Sequence, residues 1–179
     1  MRPRFWMLCL AELLVVGLAR ADIAKDLGVH QAVGRDVDAP EWVEEQVAPP
    51  GFPKDADLVE FYVSAGTANR FFIDASTLSV GKDGIVRYAL VIKTAGGATN
   101  TSYEGIRCKT GEYRLYASGR ADGAWALARI ADWRPIENKP VNRHHAALNR
   151  DLFCPLATPI DSADDGRTAL RLGKHPRAP

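Results

Sequence analysis

Four kinds of side chain in this sequence are capable of chemistry: an adjacent pair, His144-His145; a carboxylate in an apolar stretch, Glu104; a scatter of arginines after it; and two widely spaced cysteines, Cys108 and Cys154. A histidine pair could ligate a metal or exchange protons near neutral pH. Adjacent helical residues point about 100° apart, however, so one site can use only one of them, and no other ligands stand at metal spacing. One packed and one exposed histidine are expected, with no metal site. Glu104 is expected to face inward with Ile106 and Cys108, since alternate residues of a strand share a face. An inward carboxylate needs a partner, and Arg114, Arg120, Arg134 and Arg143 are the candidates. Two readings follow: an ion pair under a helix, or a polar pocket of Glu104, Arg114, Arg134 and Arg143. No catalytic residue is assigned. The sequence has no phosphate loop, His-Glu-x-x-His, Gly-x-Ser-x-Gly or Cys-x-x-Cys, which points away from an enzyme and from a bound cofactor.

The meaning of the cysteines depends on the N-terminus. Arg2 and Arg4 precede an apolar run over residues 5–18, and Ala19-Arg20-Ala21 supplies a small-x-small cleavage pattern, so residues 1–21 read as a signal peptide removed before Asp22. The run is shorter than the ~20 residues that span a bilayer, and Glu12 sits inside it, so no stable membrane insertion is expected after cleavage. Cys9 has no small residue before it and no lipidation spacing, which argues against a lipoprotein. The expected location is the periplasm. Of three cysteines only Cys108 and Cys154 then remain, and in an oxidising compartment they are predicted to pair; buried free thiols and a half-built metal site are the competing readings. The chain carries 23 basic and 22 acidic residues, which become 20 and 21 without residues 1–21. A nearly neutral protein offers no field for nucleic acid or anionic lipid.

The elements that must position these groups can be read from period and punctuation. At 179 residues, 46% hydrophobic and 25% charged, the chain suits one domain with a packed core. Residues 22–56 read as an extended proline-rich arm, because Ala48-Pro49-Pro50-Gly51-Phe52-Pro53 holds neither helix nor central strand. Trp42 and Val43, beside Glu44 and Glu45, could fasten it. Period two then predicts strands over residues 58–63, 70–74, 85–93, 101–108, 113–118 and 125–130, with Lys82-Asp83-Gly84 as a hairpin turn. Short loops make them an antiparallel meander. After Trp133-Arg134-Pro135 the pattern turns helical: Val141, His145, Leu148 and Leu152 share a face, and a second short helix begins at Ser162 and ends at Gly173. The expected fold is α+β, a single sheet of about six strands with two C-terminal helices on one face, spanning residues 57–174, then a frayed tail, 175–179. Most aromatic residues belong to the core, leaving Tyr113 or Tyr116 for the outer face.

Several blocks carry a resemblance: Asn69-Arg70-Phe71-Phe72-Ile73-Asp74, Glu104-Gly105-Ile106-Arg107-Cys108, Gly119-Arg120-Ala121-Asp122-Gly123, Trp133-Arg134-Pro135-Ile136 and Phe153-Cys154-Pro155. Over roughly residues 40–176 the chain resembles the CNP-one-like family, uncharacterised envelope proteins of Gram-negative bacteria. The resemblance implies an exported domain and brings no catalytic residues with it. Some members look like lipoproteins, and this chain departs from them in lacking a lipobox. The leading expectation is a non-enzymatic module that binds another envelope protein through the outer sheet face or the arm; the alternative is a small-molecule binder or hydrolase using Glu104.

Overall fold

The computed structural model describes residues 41–179; the expected signal peptide and the arm before residue 41 lie outside the described residues. Alternating apolar residues become strands β1 (Leu58–Phe61), β2 (Arg70–Asp74), β3 (Ser79–Val80), β4 (Ile85–Lys93), β5 (Thr99–Arg107), β6 (Glu112–Gly119), β7 (Trp125–Leu127) and β8 (Arg134–Pro135). They form one sheet in the order β1-β2-β4-β5-β6-β7, with β3 beside β4 and β8 beside β6. Every pairing is antiparallel, so the meander holds. Two residues are too few to display a period, and β3 and β8 were accordingly not anticipated. The last long strand is also shorter than expected: the Ala128 amide still donates to the Tyr116 carbonyl at 2.9 Å, but the strand itself ends at Leu127. Asp83-Gly84 turns the chain as expected, with Gly84 at φ 77°, a value only glycine adopts freely.

The helices cover one face. A 3₁₀ turn (Pro140–Asn142) leads into α1 (Arg143–Ala147), which continues as a π-wound segment (Leu148–Phe153). The wide winding is visible where the Cys154 amide reaches back five residues to the Asn149 carbonyl at 3.0 Å. It places Leu148, Leu152 and Phe153 together in the core, against Phe71, Ile73, Tyr88, Leu90 and Ile106 of the sheet. Val141 does not join that face; it lies in the 3₁₀ turn before the helix and is 84% exposed. The second helix, α2 (Ala163–Leu172), starts as expected: the Ser162 hydroxyl accepts from the Asp165 amide at 3.2 Å, and Gly173 closes the far end with a left-handed backbone. The residues after it are docked rather than frayed. The His175 amide donates to the Asp151 carbonyl at 2.7 Å, and its buried ring lies 3.0 Å from Asp165 of α2. Histidine so close to the end of the sequence finds a carboxylate to close on, which periodicity cannot reveal.

Cys108, just past β5, and Cys154, just past the π-wound segment, form a disulfide with Cα atoms 5.3 Å apart. It ties helix to sheet across 46 residues. Cys108→Ala combined with Cys154→Ala should therefore cost about 4 kcal/mol of stability, the chain-entropy value for such a loop, read as a lower urea midpoint. A change below about 1 kcal/mol would mean that packing alone holds the helices down.

Candidate functional site

The sheet carries two polar centres, one on each face. On the helix side Glu104 is almost fully buried, and both of its oxygens are engaged: Oε1 accepts from the Ser102 hydroxyl at 2.6 Å, while Oε2 accepts from Tyr88 at 3.2 Å and lies 2.7 Å from Nε2 of His145. Burial pushes the Glu104 carboxyl up, but the hydrogen bond and electrostatic pull of His145 and the hydrogen bond of Ser102 outweigh it and hold the group below the usual carboxylate value. Burial and the adjacent carboxylate push the Tyr88 hydroxyl well up, keeping it a donor. The His145 ring stacks on Tyr113 at 3.8 Å between centroids, and its Nδ1 is buried without a partner. His144 stacks on Phe71 at 5.4 Å and against His145 at 4.1 Å. Burial, aided by the neighbouring His145 ring, lowers its pKa from 6.5 to about 4 against the pull of Glu104, so it is neutral at pH 7.

On the outer face the arm crosses the sheet. Arg87, in the middle of the most apolar strand, is 1% exposed and forks onto Asp83, with its Nη2 2.6 Å from Oδ2; the same nitrogen donates to the Glu45 carbonyl at 2.9 Å. Asp83 also accepts the Glu45 amide at 2.9 Å, and its carbonyl accepts the Trp42 indole N–H at 2.9 Å. Burial pushes the Asp83 carboxyl up, yet Arg87 and the Glu45 and Ile85 amides hold it below its usual range. Next to this, Glu44 accepts from Arg114, from Tyr116 at 2.8 Å and from the Trp133 indole at 3.1 Å. Trp42 lies under the Arg107 guanidinium at 3.8 Å, and Trp125 donates to the Pro50 carbonyl at 2.8 Å while packing on Phe52. A bulge opposite Tyr103 and Glu104 turns Tyr116 to this face, where its ring leaves Gly105 no room for a side chain.

The residues singled out from sequence are thus divided. Glu104 faces inward with Ile106 and Cys108, but its partners are His145, Tyr88 and Ser102. Arg114 lies on the other face with Glu44, Arg134 is exposed on β8, and Arg143 reaches Ser64 at 3.3 Å. The four do not form one pocket, because Arg114 precedes the bulge on the opposite face from Glu104 and the other two sit outside the sheet's covered centre. His144 and His145 are both buried, at 8% and 4% exposure, in place of one packed and one exposed. Two side chains 100° apart can both meet the sheet when the direction between them points at it. Among aromatics, Tyr116 takes the outer face and Tyr113 the inner. The Asp83–Arg87 pair escaped sequence reasoning; an arginine in the middle of a nine-residue apolar strand was the available sign. Among the described residues no three His, Cys, Asp or Glu are placed to hold a metal, and no helix is long and apolar enough to cross a membrane.

Residues 37–171 match the family model for the CNP1-like family. The chain belongs to that family. The CNP1-like match takes in the arm contacts at Trp42 and Glu44, the Asp83–Arg87 pair, Glu104, both histidines and both cysteines, and ends inside α2. Cryptic neisserial protein 1 of Neisseria gonorrhoeae is 27% identical over 110 residues, covering 54% of this chain and 54% of the relative. The chain thus spans about half the length of that curated relative. No solved structure matches.

Two consequences are measurable. The unfolded chain protonates His144 near 6.5 and the folded one only near 4, so acidification through that interval should remove up to about 3 kcal/mol of stability. Below it, protonation of Glu104, whose folded value is depressed, should remove more. His144→Phe keeps the stack on Phe71 and should flatten the upper part of the profile in urea titrations. Glu104→Gln replaces one acceptor oxygen of a buried carboxylate that serves His145, Tyr88 and Ser102 and should cost roughly 3 kcal/mol; unchanged stability would rule out a structural role for the carboxylate.

Proposed function

We propose that this protein is exported, loses residues 1–21, and works in the periplasm as a non-enzymatic module that docks on another envelope protein. The disulfide between β5 and the helical layer supports an oxidising compartment. Both polar centres are spent on holding the fold, Glu104 on His145 and Arg87 on Asp83, and the outer sheet face is partly taken up by the chain's own arm. Among the described residues, an exposed element away from both centres is then the better docking candidate.

The observation that carries the reading is the loop over residues 153–160. It is closed by the Ile160 amide on the Phe153 carbonyl at 3.0 Å and pinned by Cys154. Within it Leu156 and Ala157 both adopt left-handed backbone, at φ 56° and 59°. That conformation costs about 1–2 kcal/mol for each non-glycine residue, and glycine would relieve it. The strain holds a leucine outward, 73% exposed, at the tip of a rigid turn. An apolar side chain displayed at a conformational cost, on a loop tethered covalently to the sheet, suits a knob that enters a partner's pocket.

Full-length protein should be recovered from the envelope of its host as a chain starting at Asp22 and two hydrogens lighter than the reduced mass. In-cell cross-linking should give a discrete adduct that Leu156→Asp abolishes and Leu127→Asp leaves intact. An uncleaved, reduced chain, or an adduct indifferent to Leu156→Asp, would overturn the proposal.

A further inference from the structure

A cleft of about 270 Å³ opens at the end of the sheet where the loop after β1 and the ends of β2, β4 and β5 meet the segment leading into α1. It is separate from the Leu156 loop. Its floor is apolar, formed by Phe71 and Ile92, and its rim is polar, with Ser64 and Asn100. Two features of the lining are chemically incomplete. His144 is more than nine-tenths buried and makes no side-chain hydrogen bond among the described residues, its ring nitrogens being reached by solvent alone. Its neighbour Arg143 is a cation with no carboxylate within ion-pair distance among the described residues; its one contact is Nη1 to the Ser64 hydroxyl at 3.3 Å, which leaves most of the guanidinium fork unused.

We propose that this cleft binds a small organic monocarboxylate bearing a short apolar group. The carboxylate would take the free edge of Arg143, whose planar fork matches two carboxylate oxygens. The neutral His144 ring would donate its N–H to the same head in place of solvent. The apolar group would lie over Phe71 and Ile92. The volume sits just below the range of about 300–1,000 Å³ that holds drug-sized ligands, so a branched acid of a few carbons fits and an extended peptide does not. Arg143 and His144 are adjacent, and the start of α1 delivers both to one mouth. His145, behind His144, is already committed to Glu104, so the inner histidine holds the layer together and the outer one is left for the ligand.

The test is an NMR titration of the disulfide-bonded protein with 4-methylpentanoate, following the histidine ring nitrogens and arginine Nε–Hε signals, with 4-methylpentanamide and inorganic phosphate as controls. Saturable shifts at His144 and Arg143 are expected, weaker by about tenfold or more for the uncharged amide. Phosphate, lacking the apolar group, should bind weakly too. Arg143→Gln should reduce affinity by about tenfold or more, and His144→Phe, which keeps the stack on Phe71, by several-fold, with dispersed spectra showing both variants folded. Equal binding of acid and amide, phosphate binding as tight as the acid, affinity unchanged in Arg143→Gln, or no shift at either residue would each overturn the proposal.

Discussion

The third-from-edge strand β4 is buried on both faces: its first seven residues are all excluded from solvent. The constraint is severe for a chain of this size, because a sheet with one helical layer usually leaves its other face to water. Here the helical layer occupies one side, and among the described residues the segment before β1 lies across the other. Each polar residue that the central strands carry must then meet its partner on the side it faces. Arg87 faces the arm and is met by Asp83 and the Glu45 carbonyl; Glu104, one strand over, faces the helices and is met by His145.

The two buried polar centres therefore act as registration marks for the two covering layers. A hydrophobic layer can slide by a turn or a residue at modest cost, since one apolar side chain replaces another. A layer that must put His145 on Glu104, or the Glu45 carbonyl on Arg87, cannot slide without leaving a buried polar group short of a hydrogen-bond partner. The π-wound stretch after α1 serves the same requirement, because the extra residue per turn lets His145, Leu152, Phe153 and Cys154 all reach the sheet from a short helix.

Much of the fold was legible in the sequence because its signals are local. Residues 85–93 are a run of mostly apolar residues with hairpin chemistry before them, and the two cysteines outside the N-terminal apolar run have one pairing with each other available. The candidate site was only half legible. Alternation grouped Glu104 with Ile106 and Cys108, and the expected disulfide made that face the inner one, but choosing its partner required knowing which helical residue lands above it, a relation across 41 positions that no period encodes. Arginines looked suitable by charge; the register of β6, which sets Arg114 opposite Gly105, put it on the other face. Trp42 was visible as an anchor, but Val43 beside it is 78% exposed and Glu44 takes its place; their targets, Asp83, Arg114 and Trp133, come together only once the sheet has folded.

The disulfide has a further consequence for how damage to this molecule would look. The loop it closes contains the exposed turn at Asp122-Gly123 and the irregular stretch over residues 128–133, the places where a protease finds accessible backbone. A cut there would leave both fragments covalently joined, with β5 and the helical layer still clasped. Such a nicked molecule would keep its mass apart from one added water and would come apart only on reduction. A band that is single without thiol and double with it would be a record of past cleavage rather than of a second subunit.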